Sequence, residues 1–108
     1  MLSTPRCAVG DMPTFGAYAR FLREFGDLTR AEKAAFTRAR KRFVADLQAG
    51  RPPRAGLRVR EMATEAGVYE LTWAPDGRAT FEYGPPIRSG ERHVIWRRIG
   101  GHEIFDNP

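Results

Sequence analysis

Residues 68–83 read VYELTWAPDGRATFEY, and this stretch is the most informative about the architecture. Apolar and polar side chains alternate on both sides of a central APDG, which is the two-residue period of strands half buried in a sheet. Proline, aspartate and glycine between two such runs are residues that tight turns favour. The stretch therefore predicts an antiparallel β-hairpin.

Two loop lengths are compatible with this hairpin, and they distribute the side chains differently. A two-residue loop of Asp76 and Gly77 would mix apolar and polar side chains on each face of the hairpin. A three-residue loop over residues 75–77 separates them, with glycine at a left-handed position. We therefore expect the three-residue loop, with Leu71 opposite Phe81 on an apolar face. The polar side chains expected on the other face are Glu70, Thr72, Arg78, Thr80 and Glu82.

Two helices are predicted ahead of the hairpin. Apolar side chains recur at helical spacing in residues 14–28, although the first of these positions are also compatible with a short extra strand. Thr29 and Glu32 form a capping box, in which each side chain satisfies a backbone amide of the other residue. The box predicts a second helix that runs to about Ala49, with Gly50 ending it.

Two further stretches of the sequence predict the other strands of the sheet. Residues 57–60 alternate as a strand, and residues 93–99 are rich in β-branched and aromatic side chains. Two helices before a run of strands imply an α+β fold, with an N-terminal helix pair on a four-stranded antiparallel sheet and an optional short N-terminal strand. At 108 residues the chain has room for one domain. We expect that domain over residues 12–108, after a disordered extension over residues 1–11.

Composition and charge restrict the function classes. The chain has 18 lysine and arginine residues against 13 acidic ones, a formal net charge of +5. This excess fits RNA, DNA or an acidic protein as partner, and it is also what an arginine-rich genome would produce. With a single cysteine, Cys7, and two histidines, we expect neither a metal site nor an internal disulfide. Without a membrane-length apolar run or a signal-peptide core, the expected location is the cytoplasm, with no membrane partner.

Three motifs, taken in order, resemble the RelE/HigB-type toxins of the RelE/ParE superfamily. They are Gly-Val-Tyr-Glu-Leu at 67–71, Gly-Arg-x-x-Phe-x-Tyr at 77–83, and Ile-Gly-x-His at 99–102 followed by an aromatic residue at 105. The similarity extends over residues 15–105 and includes the helix pair. It implies the RelE-like fold and a bacterial toxin of a type II toxin–antitoxin system. Such a toxin is a metal-independent endoribonuclease without cofactors, which cuts messenger RNA on the ribosome and so inhibits translation.

The resemblance also implies roles for three residues. Arg78 matches the arginine that clamps the phosphate of the RNA. His102 matches the position of the general acid, where a histidine is apt because the imidazole titrates near neutral pH. Phe105 matches a C-terminal aromatic residue that stacks on a base.

Three further residues are expected at the site because of their place on the strands. Glu70 is expected as the general base, since it shares the polar face with Arg78; RelE itself carries lysines at the positions matching Glu70 and Thr72. Arg58 and Arg60, one strand over, are expected to bind RNA. A solvated face with a cross-strand ion pair is the competing interpretation of these charges.

The resemblance implies a cognate antitoxin protein as partner, together with the ribosome and messenger RNA. Operator DNA would be bound only through the complex with the antitoxin. Two alternatives stay open: a non-catalytic ParE-like chain that binds a protein such as DNA gyrase, and a catalytically inactive RNA-binding module. The pair Arg78 and His102 favours chemistry, because a surface that only binds a protein needs neither residue.

Overall fold

The predicted hairpin lies within a five-stranded sheet in the computed structural model, which describes residues 14–85 and 92–108. The sheet order is β1-β5-β4-β3-β2. The predicted extension over residues 1–11 lies outside the described residues. The elements are β1 (Thr14–Ala17), α1 (Ala19–Gly26), α2 (Arg30–Gln48), β2 (Arg60–Glu61), β3 (Val68–Ala74), β4 (Gly77–Gly84) and β5 (His93–Gly100), with 3₁₀ helices at Ala55–Leu57 and His102–Asp106.

The α+β fold class is confirmed, and the optional N-terminal strand is present. β1 pairs with β5 in parallel, with Gly16 opposite Ile95, so the sheet as described is mixed. The chain turns at Tyr18, whose amide donates to the Trp96 carbonyl at 2.9 Å, and α1 begins at Ala19. A four-residue strand ahead of a short helix is too brief for periodicity to separate the two.

The capping box opens α2 as predicted. The Glu32 amide donates to Thr29 Oγ1 at 3.1 Å, and the Thr29 amide donates to Glu32 Oε1 at 2.8 Å. The helix ends at Gln48, and Gly50 follows with a φ of +70°, a conformation that glycine adopts without strain. No helix within the described ranges combines the length and apolar character that crossing a membrane requires.

Aromatic rings join both helices to the apolar face of the sheet. Phe21 of α1 and Phe36 of α2 contact Trp96, with ring centroids 5.8 and 5.2 Å apart. Phe43 of α2 contacts Phe81 at 5.0 Å, and both rings are fully buried. Large buried rings dominate the energetics of such a core, so they fix β4 and β5 beneath the helices. The polar side chains of the same strands point to the other face.

The predicted three-residue loop of the hairpin is wrong. Ala74 pairs with Gly77, so the loop contains Pro75 and Asp76, and a β-bulge at Trp73 precedes it. Gly77 is not among the left-handed glycines. Glycine is needed there because a Cβ would lie 2.5 Å from the Trp73 ring. The bulge supplies extra twist, which lets a two-residue loop join the strands.

The shorter loop and the bulge each move the strand pairing by one position, so the register differs by two positions from the predicted one. Leu71 lies opposite Ala79 instead of Phe81, and Tyr69 lies opposite Phe81 with its ring stacked at 5.5 Å. A shift of two residues leaves every side chain on its predicted face, because strand side chains alternate with a period of two. The polar face is therefore the one expected from the sequence.

The strand predicted over residues 57–60 begins later and is shorter. Leu57 closes the 3₁₀ helix Ala55–Leu57 and is buried in the core, and Arg58 is left-handed with a φ of 48°. Only Arg60–Glu61 pairs with β3. A left-handed arginine is uncommon, and apolar alternation gives no sign of it.

A buried carboxylate ties the connector after α2 to the helix. The Asp46 side chain is 2% exposed and accepts from Arg51 Nη2 at 2.7 Å and from Arg54 Nη2 at 2.9 Å. It also accepts from Arg54 Nε at 3.0 Å and from the Arg54 amide at 2.9 Å. The hydrogen bonds from Arg54 and Arg51 hold the pKa of Asp46 well below its usual range.

Replacing Asp46 by asparagine should lower the Tm at neutral pH by about 5 °C or more, because two arginines lose their charged acceptor. The folded-state pKa is depressed, so this stabilisation is complete above the ordinary aspartate pKa of about 4 and is lost as pH falls through the folded pKa. Asp46→Asn should therefore flatten the acid side of a plot of Tm against pH. Thermal unfolding followed by circular dichroism measures both effects.

Asp27→Asn is the matched control, since Asp27 is exposed at the end of α1. It should leave the Tm and its pH dependence close to those of the wild type. Equal losses of Tm in the two variants would contradict a stabilising role for the Asp46 contacts.

Candidate catalytic site

Arg78 follows the turn between β3 and β4, and the carbonyl groups of that turn hold its side chain. Nη1 donates to the carbonyl oxygens of Ala74 at 3.2 Å, Pro75 at 3.1 Å and Gly77 at 2.9 Å. A guanidinium stays protonated in proteins. The turn therefore fixes a permanent positive charge at this end of the polar face.

β5 and the 3₁₀ helix that follows bring His102 to Arg78. Gly100 pairs with Arg78 across the sheet, and His102 begins the helix two residues later. Arg78 Nη2 lies 3.2 Å from Nε2 of the exposed His102 ring. Because a guanidinium can only donate, Nε2 must accept, and a neutral ring then carries its proton on Nδ1.

Two glycines before His102 allow this helix to fold back on the sheet. A Cβ on Gly100 would lie 2.8 Å from Glu103 Oε2 and 3.0 Å from Cγ2 of Ile104. A Cβ on Gly101 would lie 3.3 Å from the Asp76 carbonyl oxygen and 2.7 Å from Glu103 Oε1, which is the end of a flexible, exposed side chain. Ile104 is fully buried, so it has little room to move away. The absence of a side chain at Gly100 thus lets Ile104 pack where it does, which keeps the helix in the position that presents His102.

Phe105 and Glu103 surround His102. The half-buried Phe105 ring meets the imidazole edge-on, with centroids 5.8 Å apart. Glu103 accepts from the Gly101 amide at 3.0 Å, and this bond, with one from its own amide, holds the pKa of Glu103 below its usual range. Sequence reasoning missed Glu103; an acidic residue placed where a helix begins, beside free amides, was the available signal.

Glu70 lies on the same face of the sheet as Arg78, but its side chain contacts a different residue. It sits opposite Thr80 on β4 and opposite Arg60 on β2. Its carboxylate accepts from Arg60 Nε at 3.1 Å, and the residue is 7% exposed. The donors of Arg78 described above go instead to the turn and to His102. The partner of Glu70 in this structure is therefore Arg60.

The residues predicted from the sequence fall into two groups. Arg78, His102 and Phe105 come together at the turn end of the polar face. The Glu70–Arg60 pair lies farther along β3, and Arg58 is exposed at the end of the Ala55–Leu57 helix. The family resemblance had pointed to the first group, whereas Glu70 and the two strand arginines were expected from their place on the strands.

Two arginines of β5, which the sequence analysis did not single out, are engaged in structural contacts. Arg97 contacts Glu82 and donates to the Tyr18 hydroxyl at 3.1 Å, while that hydroxyl donates to Glu82 at 2.8 Å. The bond to Glu82 raises the pKa of Tyr18. Arg98 donates from Nε to Glu24 of α1 at 3.2 Å. These contacts join the N-terminal strand and helix to the sheet.

Pro108 contacts the middle of the polar face. The Pro108 carbonyl accepts from Thr80 Oγ1 at 3.2 Å and from Arg97 Nε at 3.0 Å. His102 remains exposed at the turn end. Among residues 14–85 and 92–108, no group of three histidine, cysteine, aspartate or glutamate side chains is placed to bind a metal ion.

Solved structures from toxin–antitoxin systems have the same fold. A chain of the E. coli DinJ-YafQ toxin-antitoxin complex matches with a TM-score of 0.63 at 8% identity, covering 85% of this chain and 94% of that chain. YafQ from E. coli strain BL21(DE3) matches with a TM-score of 0.57 at 12% identity, covering 86% and 97%. A chain of the RelB-RelE antitoxin-toxin complex from Methanococcus jannaschii matches with a TM-score of 0.58 at 8% identity, covering 85% and 95%.

No protein-family model and no curated protein sequence gave a significant match. At such low identities the structural similarity establishes the fold. It extends over nearly the full length of the matched chains. The chain therefore has the RelE-like α+β fold that its sequence motifs implied.

The contact between Arg78 and His102 predicts one tautomer of the imidazole. Nitrogen-15 NMR of the neutral His102 ring should show Nδ1 protonated and Nε2 unprotonated. Arg78→Ala removes the donor to Nε2, so the Nε2-protonated form should become populated. The signals of His93, at the other end of β5, should not change in the same spectra and serve as the control. An Nε2-protonated ring in the wild type would contradict the contact.

Proposed function

We propose that the chain is the toxin of a type II toxin–antitoxin system and acts as a metal-independent endoribonuclease on ribosome-bound messenger RNA. The observation that carries this proposal is the contact between Arg78 and His102, 3.2 Å apart. It puts a permanent cation beside an imidazole, the side chain that most often acts as general acid or base. The net charge of +5 and the fold shared with toxins support the same function.

The proposed reaction is an internal attack on the RNA backbone. The ribose 2′-hydroxyl loses its proton and attacks the adjacent phosphorus, and the bond from phosphorus to the 5′-oxygen breaks. The products are a 2′,3′-cyclic phosphate and a free 5′-hydroxyl. The reaction needs a base for the 2′-hydroxyl, cationic groups for the phosphate, and an acid for the leaving oxygen.

Arg78 is proposed to bind the phosphate and His102 to protonate the leaving 5′-oxygen. A guanidinium matches two phosphate oxygens at once and offsets the negative charge that develops on them. In the free chain Arg78 Nη2 donates to His102 Nε2. A phosphate oxygen that replaces Nε2 as the acceptor frees this nitrogen to hold a proton and donate it. Phe105, beside the imidazole, is proposed to stack on a base.

Glu70 is the proposed general base, and Arg58 and Arg60 are proposed to bind RNA. The Glu70 carboxylate is nearly buried against Arg60. For Glu70 to accept a proton, Arg60 has to exchange its carboxylate partner for a phosphate of the RNA. Arg60 is well placed for this exchange, since its side chain is 75% exposed.

The proposed partners are a cognate antitoxin, the ribosome and messenger RNA, with operator DNA reached only through the antitoxin complex. The chains of similar fold were solved in DinJ-YafQ and RelB-RelE complexes, which supports an antitoxin partner for this chain. Inhibition of translation would take place in the bacterial cytoplasm, where ribosomes are found.

Controlled expression in bacteria tests the proposal. The wild type should arrest growth and give codon-phased cuts in a reporter messenger, read by primer extension. Arg78→Ala and His102→Ala should each reduce the cutting about 100-fold or more, because a phosphate clamp or an acid is lost. Arg23→Ala is the matched control, because Arg23 is an exposed arginine of α1. This variant should cut messenger like the wild type.

Two outcomes would contradict the proposal in different ways. Growth arrest with intact messenger would point to a non-catalytic toxin that binds a protein such as DNA gyrase. Normal growth with intact messenger would rule out a toxin function without affecting the assignment of the fold.

A further inference from the structure

A cleft of about 390 Å³ lies close to the candidate site, between the β3–β4 turn, the middle of α2 and the Ala55–Leu57 helix. Its lining includes Thr72, which pairs with Arg78 across the two strands. The lining also includes Ala74 and Pro75, whose carbonyls accept from Arg78. Residues paired across strands have Cβ atoms about 5 Å apart. The cleft and the Arg78 site are therefore separated by little more than the turn itself.

The charged side chains in this lining are two arginines, Arg42 and Arg54. Arg42 is exposed and forms no ion pair with another described residue. Arg54 is held by Asp46, yet its side chain is still 44% exposed. Asp46 also pairs with Arg51, so one carboxylate faces two cations and the group keeps a positive charge. We call this space the Arg42 cleft.

Further positive charge lies on the exposed side of α2, next to the Arg42 cleft. Arg38 and Lys41 are exposed, four residues and one residue before Arg42. Residues four apart are neighbours on a helix surface. Neither cation pairs with a carboxylate among the described residues, so the strip attracts anions.

The cleft on the other side of the same turn has the opposite charge. It measures about 510 Å³, and its lining includes Glu32, Asp76 and Glu103. Phosphates approaching the turn are repelled on this side and attracted on the other. The two sides of the turn thus give a polyanion a preferred direction.

We propose that the Arg42 cleft binds the sugar–phosphate backbone of single-stranded RNA next to the phosphate held by Arg78. The inference rests on the proposed function for the identity of that RNA as messenger. Arg42 supplies a free guanidinium fork, which suits phosphate oxygens. Arg54 adds a second positive charge: Asp46 holds its guanidinium through Nε and Nη2, and Nη1 is left as a donor for a phosphate oxygen. Gly56 leaves part of the lining without a side chain, and a Cβ there would meet nothing within 4 Å.

The test is the binding of a fluorescein-labelled single-stranded RNA with 2′-O-methyl riboses, which cannot be cut by the proposed reaction. Fluorescence anisotropy over a series of KCl concentrations gives the Kd and its salt dependence without ribosomes. Arg42→Gln should weaken binding about tenfold, the loss of one charge-assisted contact. It should also reduce the slope of log K against log salt by about 0.7, the value for one phosphate contact on a single strand.

Arg30→Gln is the control with the same charge change. Arg30 is exposed at the start of α2, twelve residues or about 18 Å along the helix from Arg42. It lies beyond a Debye length from the cleft, so its Kd should stay within about twofold of the wild type. Gly56→Leu fills the cleft without changing the charge and should weaken binding as Arg42→Gln does. Unchanged Tm values confirm that the variants fold.

Equal weakening by Arg42→Gln and Arg30→Gln, or none by either, would overturn the inference. So would unchanged RNA binding combined with lost binding of a labelled polyglutamate peptide, which would assign the cleft to an acidic protein segment. Messenger cutting by the wild type with normal RNA binding by both cleft variants overturns this inference alone. Weakened RNA binding by those variants, with a wild type that cuts no messenger, supports the cleft and overturns the proposed function.

Discussion

The three hydrogen bonds that hold Arg78 to the carbonyls of the β3–β4 turn are the interaction on which the site depends. They fix a guanidinium where Nη2 meets His102. The turn has this shape because Trp73 forms a bulge and its ring lies over Gly77, where a side chain does not fit. A side chain that is held before substrate arrives loses less conformational freedom on binding, which is the general advantage of a preorganised site.

The second requirement is a C-terminal segment that folds back toward the turn. Gly100 leaves room for Ile104, and burial of Ile104 anchors the short helix that starts with His102. The aromatic core beneath holds β4 and β5 together, so Arg78 and His102 stay in register although they are far apart in sequence. The same turn separates a basic cleft from an acidic one. The β3–β4 turn therefore both holds the Arg78 guanidinium and lies between two clefts of opposite charge.

Much of the fold could be predicted from the sequence because its signals are local. The Thr29–Glu32 capping box and the alternation in residues 68–83 each act over a few residues. The register of the hairpin could not be predicted, since a shorter loop and a bulge at Trp73 together shift it by two positions and leave the alternation unchanged. The partner of Glu70 depends on where β2 lies, and neither the start of β2 nor the left-handed Arg58 before it is visible in the periodicity. The proximity of Arg78 and His102 followed from the family resemblance, and the glycines explain it physically.

Chemical analysis of the RNA ends tests the proposed chemistry most directly. The purified chain is added to ribosomes programmed with a defined messenger, and the new ends are identified by enzymatic labelling and mass spectrometry. Internal attack by the 2′-hydroxyl predicts a 2′,3′-cyclic phosphate and a 5′-hydroxyl, and a 2′-deoxy nucleotide at the cut should abolish cleavage. A 5′-phosphate end, or continued cleavage of the deoxy-substituted messenger, would require water as the nucleophile and would contradict the roles proposed for Arg78 and His102.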